Sequence, residues 1–177
     1  FGKNDILCRE RSGKDLMKIR KNDIFLYGRK MLFQMLEILY PRRCAVCDEI
    51  EVTGKGICPL CKDKVHVAGE PACKKCGKPL VDERKEFCTD CGKKHHVYTQ
   101  GKAVFVYEGG IRNSMYRFKY GNKREYAEFY ANAAVEKYGV WLNKIKAEVL
   151  IPIPMYSRKK RLRGYNQAEV FARELGR

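Results

Sequence analysis

The spacing of apolar residues divides the chain into three parts. Between residues 24 and 40 apolar side chains recur at helical spacing until Pro41 ends the run, which predicts an amphipathic helix. Residues 41–100 consist mainly of Cys, Gly, Lys and short turns, and contain too few large apolar side chains for a core. Globular patterning resumes after residue 100. We therefore divide the chain into residues 1–40, 41–100 and 101–177.

The first part combines a polar leader with that helix. Residues 1–23 are charged, contain Cys8 alone and lack the apolar stretch of a signal peptide, so we expect a mobile leader on a cytoplasmic protein. Arg29, Lys30 and Glu37 interrupt the helix, which is too short to span a bilayer. We expect it to pack on a neighbouring domain, and attachment to the inner face of the membrane is the alternative.

The third part alternates strand and helix patterns. Residues 103–107 form a β-branched and aromatic run, and residues 147–155 form a nearly unbroken apolar run typical of a strand covered on both faces in a parallel sheet. Helical spacing covers residues 111–121 and 125–143. Asn166 begins a last helix, whose first turn its side chain can cap. The pattern predicts part of an α/β domain.

The balance of charge favours a polyanionic partner. The chain has 37 Lys and Arg against 21 Asp and Glu, a formal net charge of +16. Such a charge steers nucleic acids or phosphorylated ligands toward a protein. The alternative is a solvated surface with no specific partner.

Eight of the nine cysteines form four CxxC pairs, separated by 10, 11 and 11 residues. Two thiolates two residues apart can hold one metal, and a second such pair about ten residues later completes a tetrahedron. Two zinc ions account for all eight cysteines. Neighbouring pairs most simply share a metal, and a cross-braced pairing of alternate pairs is the alternative. The predicted ligands are Cys44, Cys47, Cys58 and Cys61 for one ion, and Cys73, Cys76, Cys88 and Cys91 for the other.

Four thiolates leave no coordination position for water, so both sites should be structural. An iron–sulfur cluster is the competing assignment, but the even spacing is closer to zinc ribbons than to ferredoxins. His66, His95 and His96 are surplus to this ligand set, and we expect them to be exposed polar residues.

Five of the six residues 158–163, RKKRLR, are basic. They follow the predicted strand at residues 147–155 and precede the helix that begins at Asn166. Ligands gather at the carboxyl ends of strands, and helix N-termini suit phosphate, so this position favours anion binding. A solvated run of charge is the alternative.

Residues 36–177 resemble the ComF family of bacterial, competence-associated proteins. The resemblance is carried by LEILYPRRCAVC, the four CxxC pairs, FKYGNKREYA and IPIPMYSRKKRLRGYNQAEVFAREL, in that order. It implies a double zinc ribbon followed by a type I phosphoribosyltransferase fold with a parallel sheet. It also implies handling of single-stranded DNA during natural transformation, with membrane-associated DNA-uptake proteins or a helicase as partners.

The resemblance also implies a site for phosphoribosyl pyrophosphate with Mg²⁺. Matched by position, its residues are Arg158, Lys159, Arg161, Arg163, Gly164, Asn166 and Gln167. The superfamily's phosphate loop, two acidic residues and a Thr-rich, Gly-containing turn after a buried strand, does not occur in the sequence. We therefore expect a fragment that contains the N-terminal part of the domain and lacks transferase activity.

Three functional hypotheses follow. The first is a ComF-like phosphoribosyltransferase-fold protein in DNA uptake, which binds phosphoribosyl pyrophosphate when full length. The alternative is a nucleic-acid-binding zinc-ribbon module with a non-catalytic α/β scaffold. The third is an adaptor that uses the helix at residues 24–40 to dock on a membrane-associated partner.

Overall fold

Six helices lie within residues 41–177, and they contribute most of the regular structure. The computed structural model describes Met35 and residues 39–177, so the predicted leader with Cys8 and nearly all of the predicted helix at residues 24–40 lie outside the described residues. The helices are α1 (Pro59–Lys62), α2 (Thr89–Lys93), α3 (Gly109–Tyr120), α4 (Tyr126–Ile145), α5 (Ser157–Arg163) and α6 (Gln167–Leu175).

Three helices lie where the sequence predicts them. Helices α3 and α4 cover the two predicted helical runs, and Gly121 ends α3. Asn166 is the N-cap of α6, where its Oδ1 accepts a hydrogen bond of 3.0 Å from the backbone N–H of Ala168. Glu169 does not complete a capping box and instead pairs with Lys160 and Arg173.

The predicted parallel sheet is absent from the described residues. Phe105 forms only an isolated antiparallel bridge with Val67. Residues 147–155 form no strand, and the side chains of Val149 and Ile151 are 70% and 84% exposed. An apolar run predicts burial only if neighbouring strands exist to cover it, and no strand pairs with this run within residues 39–177. The observed fold is a zinc-ribbon module joined to a set of helices.

Aromatic side chains from α3, α4 and the turn before α6 form the core. The rings of Phe118 and Tyr130 lie 5.5 Å apart, and Tyr165 packs against Phe118 at 6.0 Å. Ser114 and the hydroxyl of Tyr130 share a buried hydrogen bond of 2.6 Å. Burial raises the pKa of Tyr130 to about 12, so this hydroxyl stays protonated and keeps its hydrogen bond. The core therefore holds the inner face of α3 against α4.

The basic stretch at residues 158–163, which the sequence places between a strand and a helix, is itself helical. It lies within α5, and Gly164 ends this helix in the left-handed region at φ 79°. None of the helices in residues 41–177 combines the length and apolar character needed to cross a bilayer.

Candidate metal centres and basic concavity

The two halves of the ribbon repeat the same backbone turn. In the first, the N–H of Cys44 donates to Glu49 at 2.8 Å and the N–H of Asp48 donates to Cys44 at 2.9 Å. In the second, the N–H of Cys73 donates to Lys78 and the N–H of Gly77 donates to Cys73, both at 2.8 Å. Each turn places two thiols side by side, as a metal-binding knuckle requires.

A short helix supplies the other two thiols of each cluster. Cys58 is the N-cap of α1 and Cys88 is the N-cap of α2, while Cys61 and Cys91 lie one turn later in the same helices. The eight thiols form two groups, in each of which the Sγ atoms lie within 4.8 Å of one another. The groups are Cys44, Cys47, Cys58 and Cys61, and Cys73, Cys76, Cys88 and Cys91. Neighbouring pairs, and not alternate ones, therefore come together.

The distances within both clusters fit tetrahedral zinc. The Sγ atoms of Cys47 and Cys58 lie 3.7 Å apart, and those of Cys76 and Cys88 also lie 3.7 Å apart. Zn–S bonds of about 2.3 Å in a tetrahedron place two sulfurs about 3.8 Å from each other. Zinc bound here has four protein ligands and no position for water or substrate, so it would stabilise the fold and leave chemistry to other residues.

The backbone prepares one thiol of each cluster to lose its proton. Burial alone would raise the pKa of Cys44, but N–H groups of Cys58, Cys47 and Val46 outweigh it and lower the pKa to about 7. The same balance lowers the pKa of Cys73 to about 6. Burial and neighbouring thiols raise the pKa of Cys61 to about 12. A metal must displace that last proton, so binding becomes tighter as the pH rises.

The surplus histidines do not join either cluster. His66 and His95 are exposed and His96 is half-buried, where its ring stacks on Tyr98 at 5.1 Å. The two cysteine clusters are the groups of metal-binding side chains within the described part of the chain, and neither includes a histidine.

The first knuckle is built into the helical core. Ala45, between Cys44 and Cys47, is fully buried in the same cluster as Ile111 and Phe118. Arg117 of α3 donates a hydrogen bond to the carbonyl of Val46. These contacts continue the core of α3 directly into the metal-binding turn.

Close approach at Gly110 completes this junction. A Cβ atom on Gly110 would lie 2.7 Å from Cγ1 of Val46 and 3.1 Å from the carbonyl oxygen of Lys64. Only glycine leaves room for the first knuckle to touch the start of α3 at this distance.

Asp48 fastens the same knuckle to α4. Its Oδ1 accepts a hydrogen bond of 2.6 Å from the hydroxyl of Tyr126 and lies 2.8 Å from Nζ of Lys123. Burial would raise the pKa of this carboxyl, but Lys123 and Tyr126 more than offset it and hold the pKa below its usual value. Asp48 occupies the left-handed region at φ 69°, where Gly77 stands at φ 75° in the second knuckle. The position that is glycine in the second knuckle is therefore aspartate in the first, where its carboxylate contacts Tyr126 and Lys123.

The second knuckle has fewer connections to the helices. The hydrogen bonds that leave it, within the described residues, join Lys74 to Glu86 and Gln100 and the carbonyl of Lys75 to Gly101, and none of them reaches α3 or α4. A Cβ atom on Gly77 would lie 2.6 Å from the backbone nitrogen of Ala103, so this knuckle packs on the connecting segment. The two metal sites are alike in ligands and differ in attachment.

A basic concavity of about 630 Å³ lies between the end of α3 and helix α5. Its lining includes five cationic side chains and one aromatic ring: Lys119, Tyr120, Arg124, Lys159, Arg161 and Arg163. Asn122, Leu162 and Gly164 complete the lining, and no carboxylate of the described residues contributes to it.

Two of these cations are held in place by hydrogen bonds, and the other three have no such partner in the described part of the chain. Arg124 donates to the carbonyl of Gly164 at 3.1 Å, and Arg163 donates to Gln167 at 2.6 Å. Within residues 39–177, Lys119, Lys159 and Arg161 have neither a hydrogen-bonded side-chain partner nor an ion pair. Cations without acidic partners on a concave surface attract a phosphorylated ligand.

The structure brings together some of the residues that the sequence suggested for phosphate binding. Lys159, Arg161, Arg163 and Gly164 line the concavity, whereas Arg158, Asn166 and Gln167 do not. Asn166 is buried, caps α6 and donates to the carbonyl of Ile153 at 3.0 Å, so its role is structural. Gln167 accepts the hydrogen bond from Arg163 and positions that guanidinium.

Sequence reasoning missed the half of the concavity that comes from α3 and the turn after it. Lys119, Asn122 and Arg124 lie in FKYGNKREYA, one of the segments that carry the family resemblance. The concentration of basic residues in this segment was a signal that could have identified it.

We expect the protein purified under reducing conditions to contain two zinc ions per chain, because each cluster supplies four thiols at tetrahedral spacing. Elemental analysis by inductively coupled plasma mass spectrometry measures this ratio. One zinc per chain, or strong visible absorbance from iron, would contradict the assignment.

Removing one ligand from each knuckle should have unequal effects. Cys47→Ala should release one zinc and loosen α3 and α4, because Val46 and Asp48 lose their fixed positions. Cys76→Ala should also release one zinc, but it should leave α3 and α4 intact. Zinc content and hydrogen exchange across α3 and α4 measure the difference. Equal loss of protection in both variants would show that the docking of the first knuckle does not support the helices.

Comparison with known proteins identifies the ribbon region and nothing else. No curated protein and no solved structure matches the chain. Residues 35–92 match the family model of the double zinc ribbon domain, in agreement with the two four-cysteine clusters, so this part of the chain is a double zinc ribbon.

Proposed function

We propose that this protein binds single-stranded nucleic acid through the basic concavity, with the double zinc ribbon as a structural support. The observation that carries the proposal is the convergence of five cations on one concave surface with no lining carboxylate in the described part of the chain. Phosphate contacts from Lys and Arg supply most of the affinity of sequence-independent nucleic-acid binding.

The shape and charge of the chain support a polymer rather than a small ion. A net charge of +16 steers a polyanion from a distance, and the three unpaired cations can each release a counterion from a strand. The floor of the concavity is pre-organised, because Arg124 and Arg163 already have fixed partners. Binding therefore orders few additional side chains.

The resemblance to the ComF family suggests a biological setting for this activity. We propose that the bound strand is DNA that enters a bacterial cell during natural transformation. The double zinc ribbon at residues 35–92 is compatible with nucleic-acid binding. It is also consistent with the zinc-ribbon part of the ComF family, and it supports the resemblance only for that part of the chain.

Replacing the three unpaired cations should weaken this binding in a defined way. We expect the variant Lys119→Gln, Lys159→Gln, Arg161→Gln to bind an oligothymidylate with a salt slope lower by about 2, since each phosphate contact on a single strand contributes about 0.7. With a slope difference of about 2, the affinity lost by the variant relative to wild type is roughly hundredfold larger at 0.1 M salt than at 1 M salt. Fluorescence anisotropy at several salt concentrations measures both quantities.

A control variant separates local contacts from net charge. Lys55, Lys62 and Lys144 are exposed lysines outside the concavity, and their replacement by Gln removes the same charge. We expect at most a small change for this control. If the two triple variants lose affinity equally, net charge alone drives binding and the concavity is not the site.

Phosphoribosyl pyrophosphate is a second candidate ligand for the same concavity. Arg163 presents a fork of donors, and the left-handed Gly164 lets the backbone approach a phosphate closely. The lining residues do not fit a Mg²⁺ site, because Mg²⁺ prefers carboxylate ligands. Within the described residues, the side-chain oxygens of the lining are those of the Asn122 amide and the Tyr120 hydroxyl. Phosphoribosyl pyrophosphate would therefore bind here only as an anion, through the cationic side chains.

Competition between the two ligands distinguishes these candidates. If the strand is the ligand, we expect millimolar phosphoribosyl pyrophosphate to displace labelled oligothymidylate no better than inorganic pyrophosphate at equal ionic strength. Isothermal titration of both small anions gives their affinities directly. Selective displacement by phosphoribosyl pyrophosphate, abolished by Arg163→Gln, would favour the second candidate.

A further inference from the structure

The outer face of α3 carries two exposed tyrosines beside the basic concavity. The rings of Tyr116 and Tyr120 lie 5.0 Å apart at an angle of 47°, and the two residues are 65% and 63% exposed. Tyr120 lines the concavity, where the guanidinium of Arg163 lies 4.8 Å from the centre of its ring. Aromatic surface next to cations is the combination that single-strand binding sites use.

Tyr116 also borders a second hollow, of about 540 Å³, at the start of α3. Its other lining residues include Tyr107, which is 62% exposed, and the exposed polar side chains of Arg112 and Asn113. Neither of these polar side chains has a hydrogen-bonded partner within residues 39–177. Exposed tyrosines thus run from the concavity to a hollow that contains another unpaired arginine.

The rings are arranged for stacking rather than for packing within the protein. The inner face of α3 places Ile111, Ser114 and Phe118 in the core, so Tyr116 and Tyr120 on the outer face contribute little to folding. Every nucleic-acid base has a flat face that can stack on an exposed ring, whereas bases in a duplex already stack on one another.

We propose that Tyr120, Tyr116 and Tyr107 form a stacking track for the unpaired bases of a strand whose phosphates bind in the basic concavity. This proposal rests on the proposed function and adds a path and a selectivity to it. The strand leaves the concavity at Tyr120, follows α3 toward its N-terminus and ends near Arg112. The track selects single strands over duplex, while the cations alone would accept both.

The test compares two strands that have the same phosphates and differ in their bases. The full chain is titrated with an oligothymidylate of about 20 nucleotides, longer than a single site of this kind, and with a strand of equal length built from abasic residues. We expect oligothymidylate to bind at least about fivefold more tightly, as one stacked base provides. The affinity for an equal-length duplex, whose bases already stack on one another, should not change when Tyr116 is replaced by Ala.

Three variants within the track and one control variant outside it locate the effect. Tyr116→Ala and Tyr120→Ala should each weaken oligothymidylate binding by about fivefold or more. Tyr116 does not line the concavity, so Tyr116→Ala should leave the affinity for the abasic strand and the salt slope unchanged. Tyr116→Phe keeps the ring and should retain full affinity. Tyr40→Ala removes an exposed tyrosine outside the track and serves as the matched control.

The outcomes separate this proposal from the one on which it rests. Equal binding of the thymidylate and abasic strands, with no effect of the tyrosine variants, would overturn the track and leave the concavity as the nucleic-acid site. Equal weakening of both strands by Tyr116→Ala would also overturn it, since the tyrosine would then act on the fold. If neither strand binds the wild-type protein, the proposed function fails and the track fails with it.

Discussion

The hydrogen bond from Arg117 to the carbonyl of Val46 joins the metal-binding turn to the helical core. Val46 lies between two cysteines of the first cluster, so metal coordination determines where this carbonyl points. The preceding residue, Ala45, is fully buried against the same core. Residues 41–100 have too few apolar side chains to fix such a turn alone, and zinc bound to the four thiolates would supply the missing folding energy. The position of α3 therefore depends on a metal site outside it.

Helix α3 connects this metal site to the proposed binding surface. Its inner face holds Phe118 in the core, and its outer end presents Lys119 and Tyr120 to solvent. Gly121 ends the helix, so the turn that follows brings Arg124 to Gly164 and closes the floor of the concavity. A rigid α3 keeps these side chains in register with α5, which lowers the entropy cost of binding a strand. Zinc would thereby support binding without touching the ligand.

Local patterns predicted the ribbon and helices well, and the sheet poorly. The CxxC spacing identified the eight cysteines that the structure gathers, because two thiols and their metal interact within one short turn. Helix α4 followed from periodicity and the cap at Asn166 from a single side chain. A strand in a sheet needs partner strands that are distant in sequence. The apolar run at residues 147–155 indicates only that such strands could cover it, and it does not indicate that they exist. The described residues provide no such partner, and the run stays exposed.

The sequence predicted only half of the candidate binding site, because the other half comes from residues that are distant in sequence. Residues 158–163 are recognisable as a dense basic run, whereas the cations of α3 are spread over one helix and a turn, and only folding brings the two groups together. The two knuckles give a sharper example, since their spacing makes them equivalent while Asp48 and Gly77 occupy matching turns with φ near 70°. A non-glycine residue in that region costs about 1 kcal/mol, which the carboxylate's bonds to Tyr126 and Lys123 offset. The difference between Asp48 and Gly77 can be interpreted only after the partner helix is known, because the turn itself would favour glycine at both positions.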